Sequence, residues 1–333
     1  MKTFKNKYNE NRIIALWAFS ESILGGFFHL FKIPVTGLII GGLAIIFLSL
    51  LSYNNMDKKS ILKGTLIVLI IKFVISPYTP INAFFSVAIQ GFLCYFFSIV
   101  FNGKYFRIFG FALSSMIVFS LQKLLFIQIL FGNSLWEAID SYMLFISKQF
   151  GYTNNDINIS IFIIAFYISI HVLSGIIFSI ISIKIIDDLQ NEEKLDYEKF
   201  SINEAELFDK IEKKQKNKTK QLLLTFLILV VIGISYFIKP EEKFYNYIIV
   251  LIRFISIFFL WAYIVAPLLT KLASLFLSKK QNVYKNEVNT IIDSFGNIKK
   301  LANVIWTDVK NELGVLKYIK FIRSLIVIFI KEN

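Results

Sequence analysis

The sequence predicts an all-α protein: a polytopic membrane helix bundle of six spans plus two more, ending in an amphipathic helical region. Three observations carry this. Of 333 residues, 56% are hydrophobic and only 18% charged, where a soluble domain carries about 25% charged residues; the mean hydropathy is +0.63. Apolar stretches of about 20 residues, long enough as helix to cross roughly 30 Å of hydrocarbon, recur along the chain. The last sixty or so residues replace them with apolar positions at heptad spacing. The alternation of a membrane β-barrel, about ten residues per strand, is absent.

Each element can be justified in order. The first apolar segment runs over about 13–31 and the second over 34–53, divided by Lys32-Ile33-Pro34. The third covers 60–76, the fourth 81–101, the fifth 105–131 and the sixth 159–186. Between the last two, SLWEAIDSYMLFISKQF (134–150) is too polar to span. Leu135, Ile139, Tyr142, Leu144 and Ile146 suit a short helix lying at the interface. The N-terminus does not read as a cleavable signal, because its apolar run carries a glutamate and leads straight into a second run.

Lysine and arginine counts set an expected orientation. MKTFKNKYNENR, DKKSILK and GKYFR are basic, whereas SPYTPIN and 132–158 together hold one lysine, Lys148, against three acids. The positive-inside rule then puts the N-terminus in the cytoplasm and SPYTP outside. The sixth span returns the chain to a charged cytoplasmic linker, 187–220, followed by a two-span hairpin over 221–270 in which Pro267 kinks or ends the second span. In 271–333, Ile291, Phe295, Ile298, Ala302, Ile305, Val309, Glu312, Leu316 and Ile319 advance by fours and threes. That is a heptad seam on a long cytoplasmic helix or helical hairpin, with Gly296 and Gly314 as candidate breaks. It offers a surface for self-association through 284–320. The closing FIRSLIVIFI is short for a span and reads as membrane-hugging. Both termini are thus expected in the cytoplasm. Richness in Lys, Asn, Ile and Phe suits an AT-rich bacterial genome, hence a bacterial cytoplasmic membrane.

Composition also excludes. Cys94 is the single cysteine, so neither an intramolecular disulfide nor a cysteine zinc site is expected, and it reads as a small buried hydrophobe. The net charge of +13 fits cytoplasmic loops facing anionic lipid rather than nucleic acid. There is no nucleophile elbow, P-loop, HExxH or GxGxxG, so no catalytic residue, metal or cofactor is predicted. An ATP-driven role would need a separate ATPase chain.

An ionisable side chain at mid-bilayer costs about 2.5–3.5 kcal/mol on insertion scales and normally faces the bundle interior. The first segment, ALWAFSESILGGFFHLFK, carries Glu21 and His29; with Gly25 these fall at i, i+4 and i+8 on a regular helix. Ala15, Ala18, Ser22, Gly25 and Gly26 form a small-residue stripe for close helix docking. With Lys72, Tyr78, Asn82, Gln122, Lys123 and His171, Glu21 and His29 make the candidate ligand set, gathered toward the outer half, with Lys72 and Lys123 suited to an anionic group. The simpler readings are a structural ion pair of Glu21 with Lys72, Lys123 or a histidine, hydrogen-bonding histidines, and a Lys123 that snorkels to the interface.

SPYTPINAFFSVAIQGF (76–92), a proline-bearing polar loop leading into a Gln-Gly helix, together with six spans and the small-residue stripe, resembles the substrate-binding (S) component of energy-coupling factor transporters over about 10–186. The resemblance implies capture of a vitamin-like or metal solute from the outside. It also implies docking, through Ala18, Ser22 and Gly26, onto a coupling subunit driven by ATPases. The stripe departs from an Ala-xxx-Ala pattern, and the second half has no counterpart in an S component. Uptake of a small solute is therefore the leading expectation. The alternatives are a non-catalytic scaffold whose C-terminal helices recruit a partner, and an intramembrane lipid-modifying enzyme using Glu21 or a histidine as base.

Overall fold

The computed structural model describes residues 9–30, 36–54, 58–76, 79, 81–149, 158–190, 260–310, 314 and 316–331. They are helical with no strand among them. The helices are α1 (Glu10–Phe19), continued by a π turn (Ser20–Leu24) into α2 (Gly25–Leu30), then α3 (Thr36–Asn54), α4 (Lys59–Ile75), α5 (Ile81–Val100), α6 (Lys104–Phe131), α7 (Ser134–Gln149) and α8 (Ile159–Gln190). A second π segment (Leu260–Val265) leads into α9 (Ala266–Val283), and α10 (Lys285–Asp293), α11 (Phe295–Val309) and α12 (Leu316–Lys331) follow. Four of these are long and apolar enough to cross a membrane: Thr36–Asn54, Asn82–Val100, Lys104–Ile129 and Ile159–Gln190. The expected linker beyond residue 190 and most of the expected hairpin before residue 260 lie outside the described residues.

The chain forms two compact units. In the first, which holds residues up to Leu121, α8 from Ile168 and the chain from Leu268 on, α1 is the central shaft. Ile13, Ile14, Ala15, Leu16, Trp17 and Ala18 are all buried, as expected for a helix apolar on every face. It packs on α3 and α4 and on α10, α11 and α12. Helices α3, α4 and α5 close together at glycines: a Cβ on Gly91 of α5 would overlap the Thr65 hydroxyl of α4 and lie 2.7 Å from its Cβ. The outward faces stay apolar. Phe92 and Phe96 of α5 and Leu173 and Ile177 of α8 are about half exposed, an apolar surface of a kind that lipid covers.

The heptad seam forms, and its partner lies in the same chain. Ile291, Phe295, Ile298, Ile305 and Val309 are buried, with Leu301 and Val288 beside them. The break falls at Ser294, between α10 and α11, and again near Gly314, whose φ of +73° is left-handed; nothing interrupts the helix at Gly296. Helix α12 packs on α11 and α1 and buries Ile326, Val327, Ile328, Phe329 and Ile330 in the first unit, where a membrane-hugging tail was expected. Its apolar positions match the enclosed shaft better than an open surface.

In the second unit, Gly132 (φ +65°) ends α6, and its N–H bonds back to the Gln128 carbonyl at 2.8 Å. Helix α7 buries no residue. Asp140 ties it to the start of α8, accepting bonds from the backbone N–H and the hydroxyl of Ser160, both at 2.7 Å. Gln128 accepts from the Trp136 indole at 2.6 Å and donates to Asn133 at 2.7 Å. Pro267 does not end a helix. It stands just after the π segment that runs unbroken into α9, and such local π adjustments re-satisfy the backbone groups that a proline frees.

Candidate functional site

The site is built on the π turn of the shaft. There the Gly25 N–H bonds to the Ser20 carbonyl, five residues back, and the Ser20 hydroxyl donates to the Trp17 carbonyl at 2.8 Å. Such single turns insert one residue into the helical register and recur at functional sites. The insertion changes which residues share a face. On a regular helix Glu21 would align with Gly25; across the wider turn it aligns with Gly26. Both then meet α4. Lys72 Nζ donates to Glu21 Oε2 at 2.7 Å, and a Cβ on Gly26 would lie 3.3 Å from Ser76 Oγ. Gly25 faces α3 instead, near Ile40. Lower down, Ile14 of α1 packs against Gly64 of α4. The contacts 14–64, 21–72 and 26–76 rise together, so α1 and α4 run parallel.

The ion pair is sealed. The side chains of Lys72 and Glu21 are 5% and 4% exposed, and Lys72 Nζ also lies 5.9 Å from the centroid of the Phe84 ring. Two polar atoms on the same stretch of shaft, Trp17 Nε1 and Ser22 Oγ, are buried and have no hydrogen-bond partner. A second polar centre lies between α3, α5 and α6. There Gln90 Nε2 donates to the Gly41 carbonyl at 3.2 Å and to Ser115 Oγ at 2.9 Å, while its Oε1 has no partner. A third joins Ser52 and Ser98 at 2.8 Å, next to the buried Cys94.

The other expected ligand residues are distributed. Asn82 and Lys123 are exposed, Gln122 is half-buried and His171 is buried. His29 falls in α2, and Tyr78 lies outside the described residues. A direct contact brings Glu21 and Lys72 together. In the small-residue stripe, Ala15, Ala18 and Ser22 are buried, and the shaft is enclosed by this chain's own helices. Sequence reasoning did not single out Gln90 or Arg107 as site residues; a lone amide or cation within an apolar run was the available signal.

At the end of the first unit where α1, α4 and α6 begin and α8 finishes, charged contacts tie the C-terminal helices down. Arg12 Nη1 donates to the Phe329 carbonyl at 3.0 Å, and Lys63 Nζ pairs with Glu287 at 2.7 Å. Arg323 grips both carboxylate oxygens of Asp188, and these bonds raise the Arg323 guanidinium above its ordinary range. Phe19 meets Phe295 edge-on, with centroids 5.4 Å apart. No group of three or more metal-ligating side chains occurs among the described residues.

The class this arrangement defines is a helical protein with four helices, among the described residues, fit to cross a membrane and a sealed charge pair at the central helix of its first unit. Comparison with known proteins adds no family: no family model, curated protein or solved structure matches the chain.

Proposed function

We propose that the protein is a transporter or transporter subunit that captures a small solute, vitamin-like or anionic, from the outer side of a bacterial cytoplasmic membrane for uptake. In this reading six spans occupy 1–186 and two more 221–270, with both termini in the cytoplasm. The observation that carries it is the Glu21–Lys72 pair. Replacing a buried ion pair with apolar residues is often neutral or stabilising, so a pair retained inside a bundle calls for a use. An intramembrane charge is by default a functional-site candidate, and this one sits on a π turn beside two polar atoms that lack partners. A solute carboxylate or phosphate would take Glu21's place at Lys72.

The test is a thermal-shift screen of detergent-purified protein against small carboxylates and organic phosphates. At least one should stabilise wild type, and the Glu21→Met/Lys72→Met double variant should not respond. No response in wild type, or an equal response in the double variant, overturns the proposal. A coupled form of it, with a separate ATPase or coupling subunit as the S-component resemblance implies, would show as co-purification.

A second reading, a membrane scaffold, is favoured by a different observation: the shaft's small residues are already filled by the chain's own helices, and α10–α12 are anchored to it. A scaffold would co-purify with a partner bound through α9–α11 and would remain silent in the solute screen.

A further inference from the structure

The sealed pair is not the only notable cation in the first unit. Arg107, one turn into α6, is half-buried, and its Nε is enclosed without a hydrogen-bond partner. No ion pair involves it among the described residues. Its neighbour one turn back, Lys104, is held in place on three sides. It pairs with Asp187 of α8, and its Nζ lies 5.6 Å from the ring centroids of both Tyr53 and Tyr105. Tyr53 in turn accepts a bond from Gln190. The two cations thus stand one turn apart at the junction of α3, α5, α6 and α8, and among the described residues a carboxylate, Asp187, pairs with Lys104 and none with Arg107. Beside them the surface is apolar and aromatic: Val100, Phe101, Tyr105 and Phe106 are exposed, Phe106 by 77%.

We infer that this junction binds the phosphate of an anionic phospholipid headgroup. A guanidinium with its Nε walled in can offer only its outer N–H groups, which is the fork that phosphate oxygens accept bidentately. A mobile surface lysine would simply snorkel, whereas Lys104 is fixed by Asp187 and two rings. The exposed Tyr105 is of the type that settles at the headgroup level, and the exposed Phe101 and Phe106 would lie along the acyl chains below the phosphate. That surface selects a lipid over a free anion. Basic pockets between membrane helices hold headgroups in this way. The inference rests on membrane embedding and is independent of solute transport.

The experiment uses the full chain in neutral detergent, with phosphatidylglycerol, phosphatidylcholine and inorganic phosphate as separate probes, read by thermal shift and by native mass spectrometry of retained lipid. Wild type should be stabilised by phosphatidylglycerol and should retain it. Arg107→Gln should weaken retention about fivefold, the effect expected of one interfacial cation, and Arg107→Lys should restore part of it. Lys63→Gln, which removes an exposed cation already paired with Glu287, should behave as wild type. Equal stabilisation by phosphatidylcholine, a full effect from inorganic phosphate alone, or unchanged retention in Arg107→Gln overturns the inference. Should Arg107→Gln fail to fold, photoactivatable phosphatidylglycerol on wild type decides. Labelling within 100–107 supports the site, and labelling confined elsewhere refutes it.

Discussion

The sharpest stability prediction concerns Lys72→Met. Its ammonium lies 2.7 Å from Glu21 Oε2, and both side chains are at most 5% exposed, so removing it leaves a carboxylate with neither partner nor water. Breaking one side of a buried pair costs about 3–5 kcal/mol. At about 2–4 °C per kcal/mol for a chain of some size, the apparent melting temperature should fall by at least about 6 °C. Glu21→Met should cost a similar amount by stranding the ammonium. The double variant Glu21→Met/Lys72→Met removes both charges together and should recover most of the loss, a coupling of about 3 kcal/mol or more. The assay is thermal unfolding in one detergent for wild type and all three variants. Two results would refute the reasoning: single variants within about 1 °C of wild type, or a double variant that loses the sum of the two singles. Either would mean that the charges are already hydrated or separate.

Other predictions follow from the same contacts. Gly91→Ala places a methyl on the Thr65 side chain and should destabilise by about 1–3 kcal/mol, with partial rescue by Thr65→Ala in the same melt. Asp140→Asn weakens the two bonds that fix the start of α8; amide exchange around Ser160 should rise, with a cost of about 1 kcal/mol. The bonds to Asp188 raise the Arg323 guanidinium above its ordinary range. On the arginine side their contribution is therefore complete through the neutral range and is lost only as strongly alkaline pH climbs through the raised value. Protection of α12 from proteolysis should accordingly show no titration of Arg323 across the neutral range, yet weaken with added salt and fall in Arg323→Gln.

Much of the helix layout was legible in the sequence, because lipid-facing helices show as length and hydropathy. The apolar runs at 81–101 and 105–131 match α5 and α6 to within a residue at either end. The first segment shows the limit. Its composition marked a packed helix, but nothing in ALWAFSESILGG announces a π turn. That single inserted residue decides that Glu21 aligns with Gly26 and faces α4. Residues 291–309 carried a readable seam, while its partner was not readable, since periodicity identifies an apolar face and not what covers it. Glu21 as an ion-paired residue was among the sequence readings, with Lys72 as one of several candidate partners. Choosing Lys72 required the parallel packing of α1 and α4, a tertiary fact. Arg107 was overlooked because a cation at the start of a span looks ordinary until its Nε is seen enclosed without a hydrogen-bond partner among the described residues.

The central claim is that the charge at position 72 serves a solute and not only the fold. The charge-swapped variant Glu21→Lys/Lys72→Glu separates the two, because it preserves the pair while reversing its polarity. The measurement is the thermal shift of this variant and of wild type with the small carboxylates and organic phosphates that stabilise wild type. The account predicts that the swapped protein melts close to wild type without ligand and gains nothing from these anions. A swapped protein that keeps the full anion-dependent shift would contradict it, as would a wild type that responds to none of them.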